Sequence, residues 1–436
     1  MITHPTLAVA PFTRVPAGTA TVPGSKSITN RALIAAALAV GRSTLTGVLF
    51  SDDTEAMVSC LHELGISTKV DHSTCTIVVE GCAGAIVATE ATLSVRQSGT
   101  TARFIVPVLA LARGRFVVDG HPQMRARPMA ELAAALRDQG VSVEAAEGDR
   151  LPFVLRASGS VPGGTIRVRG DQSSQFLSGL LLSAPGAHGG VSIEVISELI
   201  SRPYVDMTLE VMESFGVVVE VRDTENLSFA VPEAQYVATD YRVEPDASAA
   251  SYFFGLAAIT GGSITIDGLG SSSMQGDMRF VQDLAAMGCQ VVQSPTSTTL
   301  TGPPPGQLRG GVFDMGEHSD TAPTMAAVAV FANSPVTVTN VGFIRHKESD
   351  RVGGVVKELL RCGIVAHEHD DGFTVHPGEP QPATIETYDD HRMAMAFALL
   401  GCRADGITIA NPGCVAKTFP DYFTRLEELR IYGDEK

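Results

Sequence analysis

Cysteine is scarce in this sequence, with seven residues in 436 and no CxxC pair. An odd number of scattered cysteines is typical of a reduced intracellular protein and argues against a disulfide scaffold. No apolar run approaches the about 18 residues that a membrane-spanning helix needs. The first residues also lack a basic segment followed by an apolar core, so no signal peptide is expected. We therefore expect a cytoplasmic protein that does not bind membranes.

Positive charge is also in short supply. The chain has 32 Lys and Arg against 48 Asp and Glu, a formal net charge of −16. An acidic surface argues against a general nucleic-acid binder. With 18% charged and 44% hydrophobic residues, the chain is expected to fold into two or three domains with large cores.

What the sequence does contain is a sixfold internal repeat of about 72 residues. Each repeat reads as an Ala-rich helix, a short strand, an amphipathic helix and a terminal glycine. The first helices run from SITNRALIAAALAVG in the first repeat to DDHRMAMAFALLG in the sixth. The glycines predicted to end the second helices lie 72 to 76 residues apart, at Gly65, Gly140, Gly216, Gly288 and Gly363.

The sixth repeat ends before its last strands, whereas the N-terminal segment LAVAPF…TATVPG has strand character. We therefore expect this segment to take the place of the missing strands. The prediction is an α/β fold of two domains. Repeats one to three form residues 24–242, and repeats four to six form a discontinuous domain of residues 1–23 plus 243–436. Repeats of this length favour globular halves with a cleft over a solenoid.

Many predicted helix starts carry cations, although a helix N-terminus already favours anions by about 0.3–1 kcal/mol. Such cations oppose folding unless an anion binds, and the neighbouring Ser, Thr and Gly residues supply hydrogen-bond donors as phosphate sites do. The pattern predicts a site for multiply anionic small molecules. The cations in equivalent positions are Lys26, Arg127, Lys347, Arg351, Arg392 and Lys417.

Several of these features have a purely structural alternative. Ser173 with its neighbours fits an ordinary helix cap, as does Thr54, and His391 fits a structural histidine. An isolated arginine such as Arg430 is expected to be a solvated surface charge. The pair His367 and His369 lies in a polar turn and reads as surface, so no metal site is expected.

Nine motifs in this order resemble the 5-enolpyruvylshikimate-3-phosphate synthase family over residues 20 to 426. They are PGSKSITNR, SGTTARF, RARPM, SSQFLSGLL, SRPYVDMTL, EPDASAASYF, KESDR, DDHRMAMAFAL and AKTFPDYF. The resemblance implies a two-domain inverse α/β barrel, with three βαβαββ units in each domain. It also implies transfer of the enolpyruvyl group of phosphoenolpyruvate to the 5-hydroxyl of shikimate 3-phosphate, in the shikimate pathway to chorismate and aromatic amino acids. No cofactor or metal is implied, and the expected state is a monomer.

The resemblance also implies roles for individual residues. Those implied to be catalytic are Lys26, Asp320, Glu348, His391 and Lys417. Those implied to bind shikimate 3-phosphate are Ser27, Arg31, Ser173, Ser174, Gln175, Ser201, Tyr204, Asp320 and Lys347. Those implied to bind phosphoenolpyruvate are Lys26, Gly99, Arg127, Gln175, Arg351, Arg392 and Lys417.

Three positions depart from the family pattern. Gln97 and Phe343 stand where well-known members have Asn, and Phe104 follows Arg103 where many have Pro. These changes bear on substrate affinity and on inhibition by glyphosate. The GSKS and SSQ motifs resemble the glyphosate-sensitive class, so the protein is expected to be a glyphosate target.

Two other functions are compatible with parts of the sequence. The related transferase that acts on a UDP-amino sugar carries a reactive Cys before its ARP motif, whereas the loop here, GHPQMRARP, has none. A binding protein without catalysis would be expected to lose its acid–base residues, but Asp320 and Glu348 are both present. The transferase acting on shikimate 3-phosphate is the favoured interpretation.

Overall fold

The computed structural model describes residues 5–223 and 227–432. The α-helices are α1 Lys26–Leu38, α2 Asp52–Glu63, α3 Gly99–Leu109, α4 Pro122–Arg125, α5 Ala130–Asp138, α6 Ser174–Ser183, α7 Pro203–Ser214, α8 Ala247–Thr260, α9 Phe280–Ala286, α10 Ala322–Ala329, α11 Arg351–Arg361, α12 His391–Gly401 and α13 Tyr422–Tyr432. Short 3-10 helices include Ser319–Thr321, Gly342–His346 and Pro412–Lys417.

The strands are short, and most have three to seven residues. They are β1 Thr6–Ala8, β2 Ala17–Thr19, β3 Val40–Thr46, β4 Thr68–Asp71, β5 Thr76–Cys82, β6 Glu90–Ser94, β7 Arg113–Asp119, β8 Ser142–Ala146, β9 Arg150–Ser158, β10 Pro162–Val168, β11 His188–Val195, β12 Glu220–Asp223, β13 Leu227–Val231, β14 Asp240–Arg242, β15 Ser263–Asp267, β16 Gln290–Gln293, β17 Ser297–Thr301, β18 Gly311–Asp314, β19 Val336–Thr339, β20 Ala366–His369, β21 Gly372–Val375, β22 Ala383–Ile385 and β23 Ile407–Ala410.

The chain divides into two compact units. A continuous unit comprises residues 24–244, and a discontinuous unit comprises residues 1–23 and 245–436. The chain passes back into the discontinuous unit after residue 244, two residues later than the predicted boundary after residue 242. The N–H of Val243 bonds to Thr46 at 2.9 Å, and the carbonyl of Glu244 accepts from Ser25 at 2.8 Å, which keeps both residues with the continuous unit.

Five of the sheets repeat one strand order, in which a parallel pair is followed by two antiparallel strands. The continuous unit contains β14-β3-β5-β4, β6-β7-β9-β8 and β10-β11-β13-β12. The discontinuous unit contains β2-β15-β17-β16, β18-β19-β21-β20 and the three-stranded β1-β23-β22. The same strand order in each unit shows that the sequence repeat is a structural βαβαββ repeat.

The N-terminal segment supplies two strands, at two different places. β1 pairs antiparallel with β23, with Leu7 opposite Ile409, and so takes the place of a strand that the sixth repeat lacks, as predicted. β2 instead pairs in parallel with β15, with Gly18 opposite Ile264, as the first strand of the fourth repeat. β14 correspondingly completes the first repeat by pairing with β3. β2, at the N-terminus, therefore belongs to the fourth repeat, and β14, which precedes the fourth repeat in the chain, belongs to the first.

The first helix of each repeat is buried almost all round, which explains its continuous apolar sequence. In α8, for example, every residue is buried. The start of such a helix cannot rely on water to satisfy its free N–H groups, so side chains must cap it. Ser25, Ser98, Ser173, Asp246 and Asp390 serve as these caps. The second helices end at the predicted glycines, which all have positive φ.

One surface assignment from the sequence is wrong. Arg430 on α13 is largely covered, because its guanidinium donates to the carbonyl of Pro11 at 2.8 Å and lies 4.7 Å from the ring centroid of Phe12. The N-terminal segment, which is distant in sequence, provides this cover. Among the described residues, no helix is both long enough and apolar enough to cross a bilayer.

Candidate active site

Two arginines meet at the start of α3 in the continuous unit. A Cβ placed on Gly99 would lie 2.5 Å from Nη1 of Arg127 and 2.9 Å from Nη1 of Arg103. Ser98 caps the same helix by accepting from the N–H of Thr101 at 3.1 Å. Only glycine leaves room for both guanidinium groups here. Because the guanidinium groups of Arg103 and Arg127 lie next to a helix N-terminus, this site is suited to bind an anion.

Helix α6 fixes one of these arginines. Arg103 donates from Nη1 to Oε1 of Gln175 at 2.6 Å and lies 5.1 Å from the ring centroid of Phe176. The hydroxyl of Ser173 accepts from the N–H of Gln175 at 3.3 Å, so its interpretation as a helix cap is correct. Ser174 is buried at the first position of α6. The SSQ motif thus also places the amide that orients Arg103.

Lys26 is linked to α3 through a residue that the sequence analysis missed. Its Nζ lies 3.4 Å from Oδ2 of Asp53, which is buried at the start of α2. The main-chain carbonyl of Asp53 accepts from the hydroxyl of Thr101 on α3 at 3.1 Å. An acidic residue at a helix start is usually interpreted as a helix cap, so nothing in the sequence indicates that Asp53 contacts Lys26. We use the name Gly99 cluster for the residues Lys26, Gly99, Arg103, Arg127 and Gln175.

Arg31 lies deeper in the continuous unit. Its guanidinium donates to the hydroxyl of Thr208 at 2.8 Å and to the carbonyls of Ser27 at 2.8 Å and Tyr204 at 2.9 Å. Burial lowers the pKa of Arg31 to about 10. The ring of Phe104 lies 5.0 Å away, so the residue that departs from the family pattern packs against this cation. Arg31 therefore ties α1 to α7.

In the discontinuous unit, three cations surround one carboxylate. Oδ1 of Asp320 accepts from Nζ of Lys347 at 2.6 Å and from Nη1 of Arg351 at 3.0 Å. Its Oδ2 accepts from Nη2 of Arg392 at 2.7 Å. Burial alone would raise the pKa of Asp320, but these cations hold it well below its usual range. Asp320 is thus an anion held by cations from three elements.

Arg351 is in turn surrounded by carboxylates. It donates to Oε2 of Glu348 at 2.8 Å, and to Oδ2 and Oδ1 of Asp390 at 2.8 and 3.2 Å. Nζ of Lys417 lies 3.5 Å from Oε1 of the same Glu348. Burial acts to lower the pKa of Arg351, but the carboxylates more than compensate and raise it above its ordinary value.

These residues form one ionic network, which we call the Asp320 cluster. Its four cations and three carboxylates carry a formal charge of +1 and are Lys347, Arg351, Arg392, Lys417, Asp320, Glu348 and Asp390. Burial lowers the pKa of Lys347, an effect that Asp320 opposes and Arg351 reinforces. The ring of Phe343 lies 5.7 Å from the Lys347 ammonium.

Asp390 is a second residue that the sequence analysis did not single out. It caps α12 by accepting from the N–H of Arg392 at 2.9 Å and also accepts from the hydroxyl of Ser349 at 3.0 Å. His391 is fully buried next to it, with Nδ1 at 3.6 Å from Oδ1 of Asp390. Asp390 lies in the DDHR motif, but its position there predicts only a helix cap and does not indicate the bond to Arg351.

A further buried carboxylate lies beside the Asp320 cluster. Asp277 accepts a hydrogen bond from the hydroxyl of Ser248, which lies 3.4 Å from Nη2 of Arg392. Burial raises the pKa of Asp277, and the nearby charge of Asp320 adds to the effect. No group of three metal-ligating side chains occurs among the described residues.

The predicted site residues therefore fall into two sets. The continuous unit holds Lys26, Ser27, Arg31, Gly99, Arg127, Ser173, Ser174, Gln175, Ser201 and Tyr204, and the discontinuous unit holds Asp320, Lys347, Glu348, Arg351, His391, Arg392 and Lys417. Ser201 lies just before α7 with φ +53°, a conformation uncommon for a residue other than glycine.

The fold class follows from comparison with solved structures. The EPSP synthase of Acinetobacter baumannii matches with a TM-score of 0.79 at 24% identity, over 97% of this chain and 98% of that one. Its fold is a two-domain inverse α/β barrel, and the described residues agree with it, since they form five four-stranded βαβαββ repeats and a sixth sheet of three strands. The fold expected from the sequence is confirmed.

The sequence comparisons assign the family. The profile of EPSP synthase (3-phosphoshikimate 1-carboxyvinyltransferase) matches residues 13–426. The 3-phosphoshikimate 1-carboxyvinyltransferase of Trichormus variabilis is 45% identical over 427 residues, 97% of this chain and 99% of that protein. The chloroplastic enzyme of Arabidopsis thaliana is 42% identical, over 94% of this chain and 81% of that protein. The chain belongs to the EPSP synthase family and is accordingly a transferase of the shikimate pathway.

Proposed function

We propose that this chain transfers the enolpyruvyl group of phosphoenolpyruvate to the 5-hydroxyl of shikimate 3-phosphate. The hydroxyl oxygen bonds to C2 of phosphoenolpyruvate while the hydroxyl loses its proton and the C3 methylene gains one. Phosphate then leaves from C2, and C3 gives a proton back. The observation that carries the proposal is Asp320 held between Lys347, Arg351 and Arg392, because it joins a proton acceptor to fixed cations.

Both clusters are proposed to bind phosphoenolpyruvate through its negative charges. In the Gly99 cluster, Arg127 and Lys26 bind the phosphate, with Gln175 and the N–H groups at Gly99 as further donors. In the Asp320 cluster, Arg351 binds the carboxylate. Arg392 and Lys417 complete the binding groups there.

Shikimate 3-phosphate is proposed to bind to hydroxyl, amide and cationic groups. Arg31 is already bonded to the carbonyls of Ser27 and Tyr204, so it also fixes the backbone that carries those side chains. Asp320 and Lys347 are proposed to bind the end of the substrate that carries the 5-hydroxyl. The remaining proposed contacts are Ser173, Ser174, Gln175 and Ser201.

Asp320 is proposed to accept the hydroxyl proton, although its low pKa makes it a weak base before substrate binds. An anionic substrate that bonds to Arg351 and Arg392 weakens their hold on Asp320 and raises its proton affinity. Binding thus prepares the base. This coupling favours proton transfer only when phosphoenolpyruvate is in place.

Glu348 and Lys417 are the proposed pair for proton transfer at the methylene carbon. They lie 3.5 Å apart, and Arg351 fixes Glu348 at 2.8 Å. His391 is buried next to Asp390 and stays a predicted catalytic group. The monomeric state also stays a prediction.

Glyphosate inhibition is a further part of the proposal. The cations of both clusters suit an anionic inhibitor that competes with phosphoenolpyruvate. Measurement of initial rates at several phosphoenolpyruvate concentrations should give competitive inhibition. Full activity at millimolar glyphosate would contradict this expectation.

The proposed reaction is tested by measuring phosphate release from phosphoenolpyruvate with and without shikimate 3-phosphate. We expect release only with both substrates and its loss in Lys26→Met. Lys69→Met, an exposed lysine on β4 of the same unit, is the matched control and should keep full activity. Absence of release from the unmodified enzyme, or release that ignores shikimate 3-phosphate, would refute the proposal.

A further inference from the structure

Glu358 is a fully buried carboxylate on α11 that the proposed mechanism does not use. Its Oε1 accepts from the hydroxyl of Tyr388 at 2.5 Å, and its Oε2 accepts from the main-chain N–H of Glu386 at 3.0 Å. Arg361, one turn further along the helix, donates from Nε to Oε2 at 2.8 Å. These bonds compensate the cost of burying the charge. Two of them reach the segment 386–390.

That segment has an unfavourable backbone. Tyr388 and Asp389 have φ of +54° and +57°, so two successive residues other than glycine lie in the left-handed region. Such a conformation persists only where the surrounding contacts fix it. Asp390, which follows directly, caps α12 and bonds to Arg351. The position of Asp390 therefore depends on how the segment is held.

The segment is attached to α11 at two points. Arg351, the first residue of the helix, bonds to both carboxylate oxygens of Asp390. Glu358 lies seven residues later, about 10 Å along the helix axis. The ring of Tyr388 lies between these points, since a Cβ on Gly354 would be 3.4 Å from its Cε2. The segment thus runs along the helix and is bound at both ends.

We propose that Glu358 is a positioning residue for phosphoenolpyruvate binding. Through Tyr388 and Glu386 it fixes the segment, which in turn fixes the carboxylate of Asp390. Asp390 orients Arg351 through its side chain and the start of α12, including Arg392, through its cap. The inference rests on the proposed function, because it assigns these two arginines to phosphoenolpyruvate.

The test compares Glu358→Gln with Tyr388→Phe. Glutamine has the same shape but replaces one acceptor oxygen by an NH₂ donor, so it cannot accept from both Tyr388 and Glu386. We expect each variant to raise KM for phosphoenolpyruvate by about threefold to tenfold, the effect of one misplaced charge-assisted bond. KM for shikimate 3-phosphate should change less than about twofold, within the effect of a weak contact.

The double variant should raise KM hardly more than Glu358→Gln alone, because each substitution removes the same bond from the Tyr388 hydroxyl to a carboxylate. Arg361→Gln is the matched control, since it removes a partner of the same carboxylate but leaves the bonds to Tyr388 and Glu386. It should lower thermal stability without changing KM. If it raises KM for phosphoenolpyruvate as Glu358→Gln does, or if both substrates lose affinity equally, Glu358 is merely structural and the inference is wrong.

Calorimetric binding of phosphoenolpyruvate separates this inference from the proposed function. If the unmodified protein gives no phosphate release, the proposed function fails, but weaker phosphoenolpyruvate binding in Tyr388→Phe would still support the positioning role. Unchanged binding in that variant would overturn it. Tyr388→Phe also serves if Glu358→Gln does not fold, because it leaves the carboxylate bonded to Glu386 and Arg361.

Discussion

Arg351 and Asp390 form a bidentate ion pair, in which Nε donates to Oδ2 at 2.8 Å and Nη2 donates to Oδ1 at 3.2 Å. The pair joins the first residue of α11 to the cap of α12, 39 residues later in the chain. Paired bonds of this kind fix a guanidinium in orientation as well as in position. Arg351 is thereby held with one edge toward Asp320 before any substrate binds.

Gly99→Ala should lower kcat/KM for phosphoenolpyruvate by about tenfold to a hundredfold, the effect of a misplacement near 1 Å. The new Cβ would lie 2.5 Å from Nη1 of Arg127, so the guanidinium must move. Steady-state kinetics on both substrates measures the change. Gly413→Ala is the control, because no atom lies within 4 Å of its Cβ position. Unchanged kinetics in Gly99→Ala would contradict this prediction and show that the Arg127 guanidinium can shift without loss of activity.

Asp320→Asn should reduce kcat by about a hundredfold to ten-thousandfold, the range for loss of a general base. The neutral amide also leaves Lys347, Arg351 and Arg392 without their shared anion, which destabilises the fold by about 3–5 kcal/mol. Rates and urea unfolding measure the two effects. Asp314→Asn, at an exposed position on β18, should change neither.

The acid dependence of stability should change in the same variant. The folded pKa of Asp320 lies below its ordinary value of 3.8, so its contribution is full above that pH and is lost as pH falls through the lower folded pKa. Unfolding free energy should therefore fall less steeply below pH 3.8 in Asp320→Asn. An identical acid limb in both proteins would contradict the low pKa.

Lys347 should give an alkaline limit to shikimate 3-phosphate binding. Burial lowers its pKa below the ordinary 10.5, and the cations Arg351 and Arg392 act in the same direction, whereas Asp320 opposes them. As pH rises through this lowered pKa, the ammonium is lost, and kcat/KM for shikimate 3-phosphate should fall. Lys347→Arg should stay charged, so its profile should remain flat to higher pH. If kcat/KM falls at the same pH in the unmodified protein and in Lys347→Arg, a group other than Lys347 causes the fall.

Phe343→Leu should raise KM for shikimate 3-phosphate by about twofold to tenfold, the equivalent of a cation–π contact of 0.5–1.4 kcal/mol. The ring lies 5.7 Å from the Lys347 ammonium and leucine cannot replace its charge distribution. Phe331→Leu removes a similar contact to Arg403, at 5.4 Å in the same unit, and should leave KM unchanged. Equal effects of the two substitutions would point to packing instead of the cation.

Much of the fold could be predicted from the sequence, because its signals are local. A buried helix requires a continuous apolar run, and a helix end in the left-handed region favours glycine, so Gly65 or Gly363 marks its helix directly. The place of β2 in the fourth repeat was not predicted, because the whole N-terminal segment was expected to replace the missing strands of the sixth repeat. Long-range pairing with β15 decides this, whereas only β1 pairs in the sixth repeat, with β23.

The same division applies to the site. The sequence by itself determined which residue types stand at the helix starts, and so the excess of cations such as Lys347 and Arg392 in an acidic chain. Only the tertiary structure decided which of them share a counterion, as Asp320 does for three, and which are structural, as Arg430 is. The physical reason is that a charge acts over a few ångströms of space, and the fold alone sets which charges are that close.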